Sequence, residues 1–162
     1  MWNIVIKGIN RFFARVTMFF VVIMVAIIFL QIISRAVIGS SFSWTEELAR
    51  ILMLWVIFLG AGFAFQYGAH VSVETIVQKF PQSVQKIIPL FVFIVSSLFL
   101  IVLLLKGIDI TQRAMSQYTS ALRLPMGYVY LAFPVSAALQ ILNLIDITIR
   151  FYRTGEMMRE EY

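Results

Sequence analysis

Charged residues in this chain stand at the ends of long uncharged gaps of nearly constant length. Arg15 and Arg35 bracket nineteen uncharged residues, Arg50 and His70 nineteen more, and Lys86 and Lys106 a third nineteen. Arg123 and Asp146 bracket twenty-two. At ~1.5 Å of helical rise per residue these stretches reach roughly 28–33 Å, the thickness of a bilayer's hydrocarbon core. The spacing predicts an all-α integral membrane protein with four transmembrane helices, at about 16–38, 48–69, 87–106 and 124–146 of one membrane domain spanning 1–162.

Composition points the same way. Hydrophobic residues make up 61% of the chain and charged ones 13%, against about 45–50% and about 25% in soluble domains. The net charge is +5, but the basic residues flank the apolar runs instead of forming a patch, so no nucleic-acid partner is expected. With no cysteine, disulfides, thiolate metal sites and a cysteine nucleophile are excluded. The first apolar run is too long for a cleaved signal peptide and is followed by no A-x-A-like motif, so it is expected to remain as a helix.

Lys and Arg counts set the expected orientation. The side carrying both termini would hold Lys7, Arg11, Arg15, Lys79, Lys86, Arg150, Arg153 and Arg159, eight in all, and the opposite side Arg35, Arg50, Lys106, Arg113 and Arg123, five in all. The excess places both termini in the cytoplasm. Two short amphipathic helices are expected in the interface plane. One covers about 2–14, with Trp2, Ile6, Ile9 and Phe13 on one face; the other covers about 71–80, with Val73, Ile76, Val77 and Phe80. Asp109 and Arg113, four apart, extend the third helix outward.

The stretch "SSFSWTEELARILMLW" places acids at the entrance to the second span. Ser43 and Glu46 have capping-box spacing, and two glutamates in a first turn complement the helix dipole. Glu46 and Arg50 are four apart in the favourable order for an ion pair. Trp44 suits an interfacial belt. These structural roles account for Ser43, Glu46 and Arg50, and leave Glu47 and Trp44 open to a docking role.

Within the four uncharged runs the polar residues are mild: Gln31, Gln66, Gln140, Asn143 and several hydroxyls, with no Asp or Glu. A coupling carboxylate normally lies inside the bilayer, so no translocation pathway is expected in this chain alone. His70 is the single histidine, too few for a pair of haem ligands, and no phosphate loop or Ser-His-Asp arrangement is present. The chain is therefore not expected to be an enzyme, and no catalytic, cofactor-binding or metal-ligating residue is assigned. Gly60, Ala64 and Gly68 repeat at spacing four, a small-xxx-small face open to close helix contact within the chain or with a partner. Pro134 falls inside the fourth span and is expected to kink it, freeing a carbonyl for Ser136 or a neighbour.

The block "FSWTEELARILMLWVIFLGAGFAFQYGAHVSVETI" resembles the small membrane subunit of tripartite ATP-independent periplasmic (TRAP) transporters, the DctQ-like proteins. The resemblance is carried by Trp44, Glu46, Glu47, Arg50, Leu59, Gly60, His70 and Val71, joined by Arg35 and by Leu122, Pro125, Met126, Tyr130 and Pro134 of "SALRLPMGYVYLAFPV". It implies a small, non-translocating scaffold in the bacterial inner membrane, part of a sodium-coupled symport system. Its implied partners are a separate large multi-span subunit and an extracytoplasmic solute-binding protein that captures a carboxylate such as sialic acid or a dicarboxylate. Arg35, Trp44, Glu46, Glu47, Arg50, Gly60, Ala64, Gly68 and His70 then become candidate subunit or lipid contacts, with membrane phospholipid held by Arg35 and Arg50.

Other classes fit less well. A self-contained, homo-oligomeric four-helix transporter calls for a glutamate inside the first helix, which Val16 to Ser34 lacks. An anchor subunit of a membrane enzyme calls for more histidines. A tetraspan organising protein usually carries extracellular cysteines.

Overall fold

The computed structural model describes residues 2–40, 42–67 and 82–154. The long elements within them are helices: α1 (Trp2–Ile38), α2 (Ser43–Tyr67), α3 (Gln82–Arg113), a short α4 (Met126–Tyr130) and α5 (Ala132–Thr154), with a 3-10 turn at Ala114–Ser116 after α3. Three stretches are long and apolar enough to cross a membrane, Ile6–Val37, Leu90–Ser116 and Met126–Ile149. The described part of α2, whose first turns carry Glu46, Glu47 and Arg50, is not among them.

The segment 2–14, expected as a separate interfacial helix, is instead continuous with the first span. Together they form one helix of 37 residues, about 55 Å long. No proline interrupts it, and of the stripe read as membrane-facing Ile6 is buried at 3% exposure while Ile9 and Phe13 are half-buried; Asn10, outside that stripe, is 5% exposed. The helix ends where Gly39 takes φ +77°, a left-handed conformation that glycine adopts without steric cost. The Gly39 N–H donates to the Arg35 carbonyl at 3.2 Å, and the Ser34 hydroxyl donates to the Ser40 carbonyl at 2.9 Å. The second expected interfacial helix, 71–80, lies outside the described residues.

Ring contacts and close approaches fix the helix directions. Phe20 of α1 meets Trp55 of α2 edge-on at 6.2 Å, and the tight 39–42 connection makes α1 and α2 an antiparallel pair. Phe58 of α2 meets Phe133 at 4.6 Å, while Gly62 abuts Leu139, so α2 and α5 run parallel. Gly107 of α3 abuts Phe133 and Pro134, and Met115 beyond it abuts Gly127, so α3 and α5 are antiparallel. The α5 helix is the common partner, packing on α1, α2 and α3, whereas among the described residues α3 touches neither α1 nor α2. Half of the most apolar stretch of α4–α5 is buried inside the bundle, against 11% for α3 and none for α1.

Close packing depends on three glycines. A Cβ on Gly62 would lie 2.7 Å from Leu139 Cδ2, one on Gly107 3.0 Å from Pro134 Cδ, and one on Gly127 2.8 Å from the Thr111 carbonyl. Gly60, on the expected contact face, meets nothing within 4 Å. The intrachain contact of α2 therefore runs through Gly62, two residues further on. The fourth span is divided at Leu131, three residues before Pro134. Proline donates no N–H to the Tyr130 carbonyl, and the ladder resumes with Val135 N–H to Leu131 O at 3.2 Å. Ser136 does not take up the Tyr130 carbonyl. Its hydroxyl donates to Phe133 O at 3.0 Å.

Buried polar groups tie three helices together. The Asn10 amide donates to Asn143 Oδ1 at 2.7 Å and the Asn143 amide returns a bond to Asn10 Oδ1 at 3.1 Å. Asn143 Nδ2 also donates to the Gly62 carbonyl at 2.9 Å. One side chain, 1% exposed, thus bridges α1, α2 and α5. Replacing it strands the Asn10 amide and the Gly62 carbonyl, at a cost on the order of 1–2 kcal/mol. Asn143→Leu is expected to lose about that much stability in detergent thermal unfolding. The double variant Asn10→Leu/Asn143→Leu is expected to be no less stable than the single, because one stranded amide is removed with the other.

Candidate functional site

One rim of the bundle, where α2 begins and α3 passes to α4, gathers most of the residues singled out from the sequence. After the 3-10 turn the chain becomes extended at Gln117 and folds back on itself. Tyr118 and Pro125 form an antiparallel bridge, Thr119 N–H donates to Leu124 O at 2.9 Å, and Met126 N–H donates to Gln117 O at 2.8 Å. The tip closes through Arg123 at φ +56°, a left-handed conformation that costs a non-glycine residue about 1–2 kcal/mol.

Glu47 holds this tip. Its Oε2 accepts the Ala121 N–H at 2.7 Å and its Oε1 the Leu122 N–H at 3.1 Å. Hydrogen bonding from the Thr119 hydroxyl, and then from the Ala121, Leu122 and Ser120 amides, keeps the carboxyl below its ordinary value of 4.5, against a smaller opposing effect of burial. The Thr119 hydroxyl in turn accepts the Leu124 N–H at 3.1 Å. A carboxylate cradled by successive amides is a strong, charge-assisted arrangement. It offsets the backbone strain at Arg123 and spans 74 residues of sequence.

The other candidates are placed differently. Glu46 and Arg50 form the expected ion pair at 2.8 Å, with side chains 60% and 72% exposed, a level at which such pairs contribute little to stability. Arg113 and Asp109 pair likewise at 2.9 Å. The expected Ser43 capping box is not seen; at this helix start the Thr45 N–H and hydroxyl both donate to the Phe42 carbonyl. The reason is register: α2 already includes Ser43, so Ser43 is not the capping residue. Trp44 is exposed and stacks on Phe42 at 6.4 Å. Arg35 lines a cavity of about 460 Å³ with Gln31, Ile32 and Ala36 at the end of α1. Gly60 lies deeper in α2 and Ala64 follows it, while Gly68 and His70 lie outside the described residues. No group of three His, Cys, Asp or Glu side chains that could hold a metal exists among the described residues.

Sequence reasoning missed the partners of Glu47. Thr119 and the amides of residues 120–122 carry no motif, and backbone donors are invisible in side-chain patterns. A signal did exist at Arg123, which sits one residue before "LP" in a loop between two apolar runs, where turn geometry is common. Asn10 was missed because its segment was assigned to the membrane surface.

Since the folded-state pKa of Glu47 lies below 4.5, its contribution is fully present above about 4.5 and is lost as pH falls through the lowered value. Glu47→Ala is expected to lower the Tm at neutral pH and to expose the 119–124 loop to trypsin at Arg123. The Tm gap to the natural protein should hold constant from pH 7 to about 5 and close below that. A gap that widens on acidification contradicts the assignment.

Comparison with known proteins identifies the family of this chain. The family described as tripartite ATP-independent periplasmic transporters, DctQ component, matches residues 24–154. A TRAP transporter small permease protein of Haemophilus influenzae is 34% identical over 142 residues, covering 83% of this chain and 86% of that protein. The C4-dicarboxylate TRAP transporter small permease protein DctQ of Rhodobacter capsulatus is 25% identical over 126 residues, 76% of this chain and 56% of its own length. The sialic acid TRAP transporter permease protein SiaT of Haemophilus influenzae is 26% identical over 130 residues, which are 80% of this chain and 21% of SiaT. With its matched region running through most of the bundle, this chain belongs to the DctQ family, the small permease component of TRAP transporters.

Proposed function

We propose that this chain is the non-translocating scaffold subunit of a sodium-coupled importer for a carboxylate solute. It crosses the membrane four times with both termini in the cytoplasm and joins a separate large transport subunit and an extracytoplasmic solute-binding protein. The observation that carries the scaffold reading is how the interior polar groups are used. The two buried asparagines bond to each other and to the Gly62 carbonyl, and Thr111 and Thr148 bond back to carbonyls of their own helices. Groups committed in this way hold helices together and leave little to line a path for a polar solute. The fourth crossing is supported by α2, which runs parallel to α5 from the level of the 119–122 loop to that of Asn143. The carboxylate class is supported by two relatives named for C4-dicarboxylate and sialic acid transport.

The large subunit is assigned to the outward stripe of α2, where Met53 and Ile57 are 48% and 57% exposed and lead to Gly60, over which nothing lies within 4 Å. SiaT supports such a partner, since the matched unit accounts for 21% of that longer permease. Trp44, Glu46 and Arg50 form the rim that meets the binding protein. Arg35, beside its cavity, and Arg50 supply the cations for a phospholipid phosphate between subunits.

Affinity capture from detergent-solubilised native membranes, using a tag on the C-terminal tail, is expected to recover one much larger multi-span protein in stoichiometric amount. Gly60→Trp should reduce that recovery about tenfold, equivalent to about 1.4 kcal/mol, without lowering the Tm of the isolated chain. Solute uptake by liposomes containing this chain alone would overturn the reading.

A further inference from the structure

We propose that Lys7 of α1 and Asp146 of α5 form an interhelical ion pair, one turn beyond the Asn10–Asn143 pair, that latches the first turns of α1 to the inner end of the bundle. The register comes from observed contacts. Asn10 and Asn143 exchange hydrogen bonds in both directions, and α1 runs antiparallel to α5. Three residues back along α1 from Asn10 is Lys7, and three residues forward along α5 from Asn143 is Asp146. Each step moves ~4.5 Å toward the same end of the bundle. The pair therefore stands at one level on adjacent helices, within reach of a flexible lysine stem.

Burial supplies the second line of support. Asp146 is 2% exposed, on the same side of α5 as Asn143 at 1% and Leu139 at 2%. Lys7 is half-buried next to Ile6, which is 3% exposed. Both residues are engaged within the chain. A carboxylate taken out of water inside a membrane bundle needs a nearby cation, and one is placed by the register on the facing helix. The pair lies outside the scaffold and docking reading and does not depend on it. Its effect is conformational, because α1 stays a single continuous helix where its sequence would also suit a helix lying in the membrane surface.

The test is a double-variant cycle on the purified full chain in detergent, read by thermal unfolding through tryptophan fluorescence. Lys7→Met and Asp146→Asn are each expected to lower the Tm by several degrees, and the double variant is expected to be no lower than the worse single. Charge reversal extends the test to variants that fold poorly. Lys7→Glu should reduce both folded yield and Tm, and Lys7→Glu/Asp146→Lys should recover at least half of the loss. Additive losses in the first series, or a swapped pair no better than Lys7→Glu alone, would overturn the latch.

Discussion

Hydrocarbon offers no water to a buried amide, so each polar side chain inside a membrane bundle must find its partner in the protein. Asn143 meets this requirement with one group on α1 and another on α2, and the arrangement of the helices follows from it. The Gly62 carbonyl is reachable because Gly62 carries no side chain and Leu139 packs directly over it. The α1 segment is drawn in because its own asparagine completes the pair. Shape and polarity reinforce each other here: glycine brings the backbones together, and the amide fixes their register.

Around this centre the bundle is asymmetric. The α5 helix is enclosed, while α1 and α3 present Phe19, Val22, Phe29, Phe91, Leu98 and Leu105 outward, each more than half exposed. In a lipid environment such surfaces need no further explanation. As a DctQ-family protein the chain is a transporter component and a multi-pass protein of the inner membrane, not an enzyme. Its buried asparagines join helices, and Glu47 clasps the 119–122 loop at one rim.

Much of this was legible from charge spacing. The gap lengths anticipated the helical stretches after Lys86 and after Arg123, and the i, i+4 rule anticipated both exposed ion pairs. Pro134 announced the break at Leu131. Tertiary choices were not legible. Residues 2–14 have an apolar stripe that fits a lipid surface as well as a protein surface, and only Asn143, far along the chain, decides between them. Gly60 and Gly62 are equally small, and which of them meets Leu139 depends on the rotation of α2. The role of Glu47 depended on backbone amides in a loop, which side-chain patterns do not encode.

The Asn10–Asn143 bond joins residues 133 positions apart, and this has a consequence for biogenesis. At a synthesis rate of about 5–20 residues per second, Asn10 waits on the order of ten seconds before its partner leaves the ribosome. During that interval α1 and α2 form a pair in which the Asn10 amide lacks Asn143 and the Gly62 carbonyl lacks its side-chain donor. Such a pair is bound to remain loosely associated, held by apolar contact and by the tight connection at Gly39. Arrival of the last helix converts it into a fixed assembly, so a truncated chain lacking α5 should be a natural target for membrane proteases.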